Sequence, residues 1–379
     1  MDRRSFIQNT GLLTAAVGLT GSSALASAPG ITNKLPKWKG FNFVDFNTAN
    51  PDSNRRYTTE DQLKWMQDWG FNFVRLPIAY PYYLKFDRSK NITPEEVYQI
   101  DEEKVDRIDQ LVQLANKHQM HVSLNLHRAP GYCVNAGFHE PYNLWKDQAA
   151  LDAFCFHWNM WAKRYKNTSK DKISFDLVNE PSLPDNMDDQ HTEKRTVPGD
   201  LYRKVAKAAL EAIKKENKER LVVADGNNKG TTVIDEITDL DIAQSCRGYF
   251  PHSISHYKAS WANKDPEHMP VPVYPGQNAD GYISREKLEE YYKPWIDLVK
   301  KGVGVHCGEC GCYTKTPHDV FLAWLNDVLD ILTTNKIGFA LWEFVGDFGV
   351  LNSNRADVAY EDWYGFKLDR KLLTLIQKY

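Results

Sequence analysis

Two glutamates, Glu180 and Glu309, stand where a carboxylate is costly to hold unless it serves a purpose. Residues 173–181 read Ile-Ser-Phe-Asp-Leu-Val-Asn-Glu-Pro, a short apolar, strand-like run that stops on Asn179, Glu180 and Pro181. Proline removes a backbone donor and biases the residue before it toward extended geometry, so Glu180 is expected where a strand ends. Glu309 closes a second strand-like run, residues 302–309. Two carboxyl groups facing each other across one cleft suit cleavage of a glycosidic bond. One must hold a proton near neutral pH for the leaving oxygen, and the other must be ionised to attack the anomeric carbon. For a covalent, retaining course the two would lie about 5 to 5.5 Å apart.

Five more residues stand in or at the ends of strand-like runs: Arg75, His127, Asn179, Tyr249 and Trp342. Arg75 beside Glu309 would favour its charged form, and the charge of Glu309 would raise the pKa of Glu180. Asn179 is placed to bond a sugar 2-hydroxyl, Tyr249 to hold the attacking carboxylate, and Trp342 to form a stacking floor. Taken singly, each has a plainer reading: Arg75 and His127 as internal polar partners, Tyr249 and Trp342 as packing. Seven such residues at one end of successive strands are hard to attribute to packing alone.

These residues meet only if the strands that carry them run side by side in the same direction. The chain supplies that arrangement. Strand-like runs at 39–46, 71–78, 121–127, 173–178, 220–225, 242–249, 302–309 and 337–343 alternate with helical stretches. In the stretch 101–120, Val105, Ile108, Leu111, Val112 and Ala115 recur at helical spacing. Parallel strands joined by helices, counted eight times, predict the α/β class and a single (β/α)8 TIM barrel rather than an open sheet. No Gly-x-Gly-x-x-Gly follows a strand, so a dinucleotide site has no support. A polar, proline-bearing stretch at 258–282 reads as a long loop.

The first 28 residues read as a leader. Asp2-Arg3-Arg4-Ser5-Phe6-Ile7 is similar to a twin-arginine export motif, a mostly apolar stretch follows, and Ala26-Ser27-Ala28 has a small-x-small cleavage pattern. The expected domains are therefore a signal peptide at 1–28 and a barrel at 29–379, exported to the periplasm or the exterior. No later run reaches the apolar length of a membrane span. With a formal charge of −3 over 379 residues, nothing in the balance favours nucleic acid or an anionic membrane. Eleven Trp and nineteen Tyr are generous for packing alone and lean toward a ligand with flat apolar faces, such as a sugar. Six cysteines are too few to frame the fold with disulfides. Cys307-x-x-Cys310-x-Cys312 lacks the second ligand pair that structural zinc requires, so apolar packing is the preferred reading.

Arg75 in FNFVRLP, His127 in LNLHRAPG, Asn179-Glu180-Pro181, Gly308-Glu309 and Trp342-Glu343 together carry a resemblance to glycoside hydrolase family 5, the cellulase-like retaining barrels. It spans nearly all of the chain after the leader. The resemblance implies that Glu180 is the general acid/base and Glu309 the nucleophile. It also implies that no metal or organic cofactor is needed and that the partner is an oligo- or polysaccharide, here a β-linked glucan or related plant glycan. One position departs from the family. Where the family usually shows His-x-Tyr on the sixth strand, this chain reads Arg247-Gly248-Tyr249, which leaves the histidine's role open to His252 or His256 from the following loop. Two rivals follow. One is a sugar-binding barrel with impaired catalysis. The other is a metal-dependent barrel hydrolase using His127, Glu180 and His256, for which the chain lacks an early His-x-His pair.

Overall fold

The computed structural model describes residues 32–49, 57–136, 140 and 142–379, so the leader reading lies outside the described residues. Eight parallel strands form the core: β1 (Lys39–Asn42), β2 (Phe73–Ala79), β3 (His121–Ala129), β4 (Ile173–Asp176), β5 (Leu221–Asp225), β6 (Ala243–Gly248), β7 (Val305–Cys310) and β8 (Gly338–Leu341). Each pairs with the next, and β8 pairs with β1, so the sheet closes on itself. The predicted TIM barrel is the observed fold.

Helices α1 (Glu60–Asp68), α2 (Glu102–Lys117), α3 (Gln148–Arg164), α4 (Gly199–Lys214), α5 (Arg285–Lys300), α6 (His318–Thr334) and α7 (Arg370–Gln377) pack outside it. Three of them start on a side-chain cap. Thr59 and Gln62 form a reciprocal capping box on α1, and Asp101 and Asp369 accept from the first-turn amides of α2 and α7. Between β5 and β6 only short turns at Asn227–Gly230 and Asp235–Ile237 replace a full helix. The 258–282 loop is broken at its end by a small hairpin, Gly276–Asn278 with Gly281–Ile283. Among the described residues no helix is long and apolar enough to cross a membrane.

The strands alternate because the two sides of the barrel wall differ. Val74, Leu76, Val122, Leu124, Phe175 and Val222 belong to the main hydrophobic core with the helices. The intervening positions carry Phe73, Arg75, Ser123, Asn125, Asp176 and Ser245, all buried, and supply the interior of the barrel. At the start of the strands that interior is aromatic: Trp38 stacks on His121 at 4.1 Å and on Phe73 at 5.0 Å. Above this plug it is filled by arginines and carboxylates. The packed base leaves the opposite, C-terminal end of the strands as the place where a site can open.

Candidate active site

A cavity of about 680 Å³ opens at that end, and Glu180, Glu309, His127, Asn179, Tyr249 and Trp342 all line it. Six of the seven sequence-predicted residues thus share one space. Arg75 is the exception. It is the third residue of β2 rather than a late one, is 1% exposed, and lies one layer below the cavity floor. From there it donates to Glu309 Oε1 at 2.6 Å, Asp176 Oδ2 at 2.7 Å, Asn179 Oδ1 at 2.9 Å and Asn42 Oδ1 at 3.1 Å.

Glu309, the fifth residue of β7, also accepts from Tyr249 Oη at 3.1 Å. Its neighbour Gly308 is required by crowding, since a Cβ there would come 2.5 Å from Ser245 Oγ and 3.3 Å from the Arg247 guanidinium. Burial, and then the charge of Glu309, hold the Tyr249 phenol well above its ordinary pKa. It therefore stays a donor to the carboxylate at neutral pH.

Glu180 differs from its predicted setting in two ways. Strand β4 ends at Asp176, three residues short of Asn179, and Glu180 is not extended but left-handed, with φ of 49°. Non-glycine residues occupy this region at a cost of roughly 1–3 kcal/mol and need support from their surroundings. Here the support is visible. The Glu180 amide donates to Asp225 Oδ2 at 2.9 Å, and Tyr132 Oη donates to the Glu180 carbonyl at 2.6 Å. The side chain is held by Arg247 Nε, 3.0 Å from Oε1. The local preference imposed by Pro181 yields to these three contacts.

Arg247 is the residue that departs from the family pattern, and it answers the question of the missing histidine. It is 1% exposed and faces the carboxylates itself. It forks onto both oxygens of Asp225, donates to Asn179 Oδ1 at 3.0 Å, and lies 3.2 Å from Glu309 Oε1. Gly230, with φ of +75°, leaves room for its stem, since a Cβ there would stand 2.6 Å from Arg247 Cγ. His256 packs edge-on against Tyr249 with ring centres 5.0 Å apart, and His252 stacks on His256 at 4.4 Å. Both line the cavity, one shell away from the glutamates.

The electrostatics follow from burial and these pairs. Glu180 is pushed up to about 7, by burial first and the charge of Glu309 second, against the pull of Arg247. The predicted direction is right, although repulsion by Glu309 is the smaller cause. Burial would also raise Asp225, but the guanidiniums of Arg247 and Arg75 hold it below the usual carboxylate range. His127 is pushed down to about 3 by burial and then by Arg75, so its ring is neutral; it stacks on Trp342 at 5.5 Å. Both arginines need an acceptor, which fixes Asn179 with its oxygen inward and its amide nitrogen toward the cavity.

Asp176, Asp225 and Asn42 were not singled out by the sequence reading. Asp225 had a usable signal, since it closes the apolar run LVVA at the same strand end as the predicted residues. Tyr132 and Trp145, which follow β3 in the chain, are 0% and 3% exposed; Trp145 packs against both Tyr132 and Tyr202, so neither side chain presents a face to a sugar. Trp261 and Phe348 do line the cavity. The three clustered cysteines are buried free thiols, and Cys307 and Cys310 donate to the carbonyls of Glu309 and Ala340. Among the described residues no group of three His, Cys, Asp or Glu is gathered as metal ligands.

A closed (β/α)8 barrel with two glutamates, a tyrosine and a tryptophan at its C-terminal mouth defines a class of carbohydrate-active barrels. Comparison with known proteins narrows it. The cellulase family (glycosyl hydrolase family 5) matches residues 33–349, and the chain belongs to that family as a glycoside hydrolase. Endoglucanase C of Acetivibrio thermocellus is 26% identical over 330 residues, covering 80% of this chain and 89% of the relative. Cellodextrinase A of Ruminococcus flavefaciens is 25% identical over 289 residues, covering 74% and 76%. A solved structure described as a glycoside hydrolase is 35% identical with a TM-score of 0.81, covering 90% of this chain and 99% of that one. A hyperthermophilic endo-β-1,4-glucanase solved with substrate shares the fold at 21% identity, a TM-score of 0.67 and coverage of 90% and 96%.

Proposed function

We propose that the chain is a retaining β-glucan hydrolase of the endoglucanase type, with Glu309 as nucleophile and Glu180 as general acid/base. The observation that carries this is the asymmetry of the two carboxyls. Glu309 is aimed and charge-compensated by Arg75 and Tyr249, whereas Glu180 is raised to about 7 and reaches its protonated form near neutral pH. The names of the curated relatives, endoglucanase and cellodextrinase, support a β-glucan as substrate.

In the first step a Glu309 oxygen attacks the anomeric carbon while the Glu180 proton passes to the glycosidic oxygen, releasing the leaving sugar and forming a glycosyl ester. In the second, Glu180 takes a proton from water, whose oxygen attacks the same carbon and frees Glu309. The Asn179 amide donates to the 2-hydroxyl of the sugar at the reacting carbon, and Trp342 stacks beneath its ring. Arg247 serves both steps. Its charge tempers the rise of Glu180 before the ester forms, and favours the carboxylate afterwards, when the charge of Glu309 is gone. The leader motif supports placing the enzyme outside the cytoplasm.

The test is hydrolysis of a panel of β-glucans by wild type, Glu180→Gln and Glu309→Gln, with product anomers followed by NMR. Each variant should lose most activity on natural substrates while staying folded, and the first product should keep the β configuration. Near-wild-type activity of either variant, or an α product, would remove the assignment. One observation favours the binding-protein rival: Arg247 pairs directly with Glu180, which opposes its protonation. Sugar binding with no hydrolysis of any panel member would establish that rival.

A further inference from the structure

The two glutamates account for the centre of the cavity but not for the wall beyond Glu180. That wall is cationic. Lys194, Lys229 and Lys264 line it, while Glu180 and Glu309 are the only carboxylates among the lining residues, and both are taken by arginines. Lys194 lies on the strand Lys194–Arg195 of a small hairpin, and its ammonium is held by the Gln190 carbonyl at 2.9 Å. Lys229 follows β5 in a turn where Asn228 and Lys229 are both left-handed, with φ of 49° and 62°. Its amide donates to the Pro181 carbonyl at 3.1 Å, which fixes Lys229 directly beside the segment that carries Glu180.

The cations in this wall act on one another. Lys229 lowers the pKa of Lys194, His252 and His256, in each case after the larger effect of burial or a nearer neighbour. No lysine here forms an ion pair among the described residues. Asp189 and Glu180 act on Lys194, and Asp280 on His252, in the opposite sense and more weakly than Lys229, without pairing; Asp189 accepts from the His191 amide at 2.9 Å, and Asp280 from the Ser253 amide at 2.9 Å. Like charges gathered beside a cleft without a paired counter-charge cost free energy that a bound anion would return. Trp261, 42% exposed and lining the same cavity beside Phe348, gives a flat face for the sugar that carries the anion.

We propose that the cavity holds an anion subsite on the leaving-group side of Glu180, where Lys194 and Lys229 receive an acidic substituent of a decorated β-glucan. The shared chemistry is a sugar bearing a carboxylate, phosphate or sulfate at a primary position. The inference rests on the glycosidase reading for the identity of the sugar. Its test does not depend on catalysis.

The experiment is calorimetric binding to the wild-type full chain of thio-linked cello-oligosaccharides, which resist cleavage. One series is neutral, and the others carry a 6-carboxylate, 6-phosphate or 6-sulfate on one sugar. At low ionic strength at least one anionic series should bind about tenfold tighter than the neutral one, the arms separating carboxylate from ester. Lys194→Gln and Lys229→Gln should each cut that ratio severalfold, and about 0.5 M salt should erase most of it by screening. Equal or weaker binding of every anionic series, or a ratio that survives both substitutions, overturns the subsite. Hydrolysis of the neutral oxygen-linked series reports separately on the catalytic reading.

Discussion

Replacing Arg247 by methionine is the sharpest single perturbation of this site. It removes a positive charge 3.0 Å from Glu180 Oε1 and 3.2 Å from Glu309 Oε1. With charge centres about 4 Å apart and an effective dielectric of about 20, one such contact is worth about 4 kcal/mol, or about 3 pH units on the titration of Glu180. Solvent reaches 18% of the Glu180 side chain and relaxes part of this, so the working expectation is a rise of at least about one pH unit. The sign is fixed, because a cation favours the carboxylate and its loss favours the acid. Glu180, now at about 7, should move to about 8 or above.

The free enzyme needs Glu180 protonated to start the reaction, so the alkaline limb of kcat/KM should shift upward by the same amount. The assay is hydrolysis of an aryl β-cellobioside with a poor leaving group from about pH 5 to 9, where proton donation limits the rate. Breaking a buried pair also destabilises by about 3–5 kcal/mol, because Asp225 keeps one cation, Arg75 at 3.4 Å, beside the Glu180 amide. Thermal melts must therefore show that the variant is folded at the assay temperature. Arg247→Lys keeps the charge and should leave the limb within about half a pH unit of wild type. A folded Arg247→Met enzyme whose limb stays in place, or moves to lower pH, refutes the reasoning.

Two further outcomes follow from the same geometry. Glu180 has a folded pKa of about 7 against an ordinary 4.5, so the folded state holds that proton more tightly. Stability should then fall as pH rises through that interval, by about 3 kcal/mol once Glu180 is ionised. Glu180→Gln removes the penalty, so denaturant titrations should find it more stable than wild type near pH 8 and equal to it near pH 4; no gain at the higher pH would contradict the burial argument. Tyr249→Phe deletes the 3.1 Å hydrogen bond to Glu309, a contact to a charged group worth about 1.5–3 kcal/mol. Steady-state kinetics should show kcat down by about ten- to a hundredfold with a smaller change in KM, and an unchanged kcat would remove Tyr249 from the mechanism.

The barrel was legible because its strands are apolar toward the helices and alternate with helical stretches eight times, three of the outer helices also opening on a side-chain cap. Helix α5, Arg285–Lys300, is separated by only two residues from the polar, proline-bearing stretch 258–282 that reads as a loop. The hairpins Leu183–Pro184 with Lys194–Arg195 and Glu361–Trp363 with Phe366–Leu368 escaped because two or three residues per strand are too few to establish a period of two. The site was legible to the depth of one residue per strand end and no further. Arg75 and Asp176 are far apart in the chain and pair only because β2 and β4 both flank β3.

Arg247 shows the limit most clearly. As a sequence letter it was a departure from a family pattern, with two loop histidines as candidate replacements. Its role comes from three partners on three other strands or their ends: Asp225 after four apolar residues of β5, Glu180 beyond β4, and Glu309 on β7. Each partner can be found alone, as a polar residue closing an apolar run. Their convergence on one guanidinium depends on the stagger of neighbouring strands, which places Asp225 opposite Ser245 and Glu309 opposite Arg247. A one-residue slip of β6 would turn Arg247 outward into the helical layer, where its charge has no partner. The register of β6 and the chemistry of Glu180 are thus set by the same buried ion contacts, and a substitution that weakens one should disturb the other.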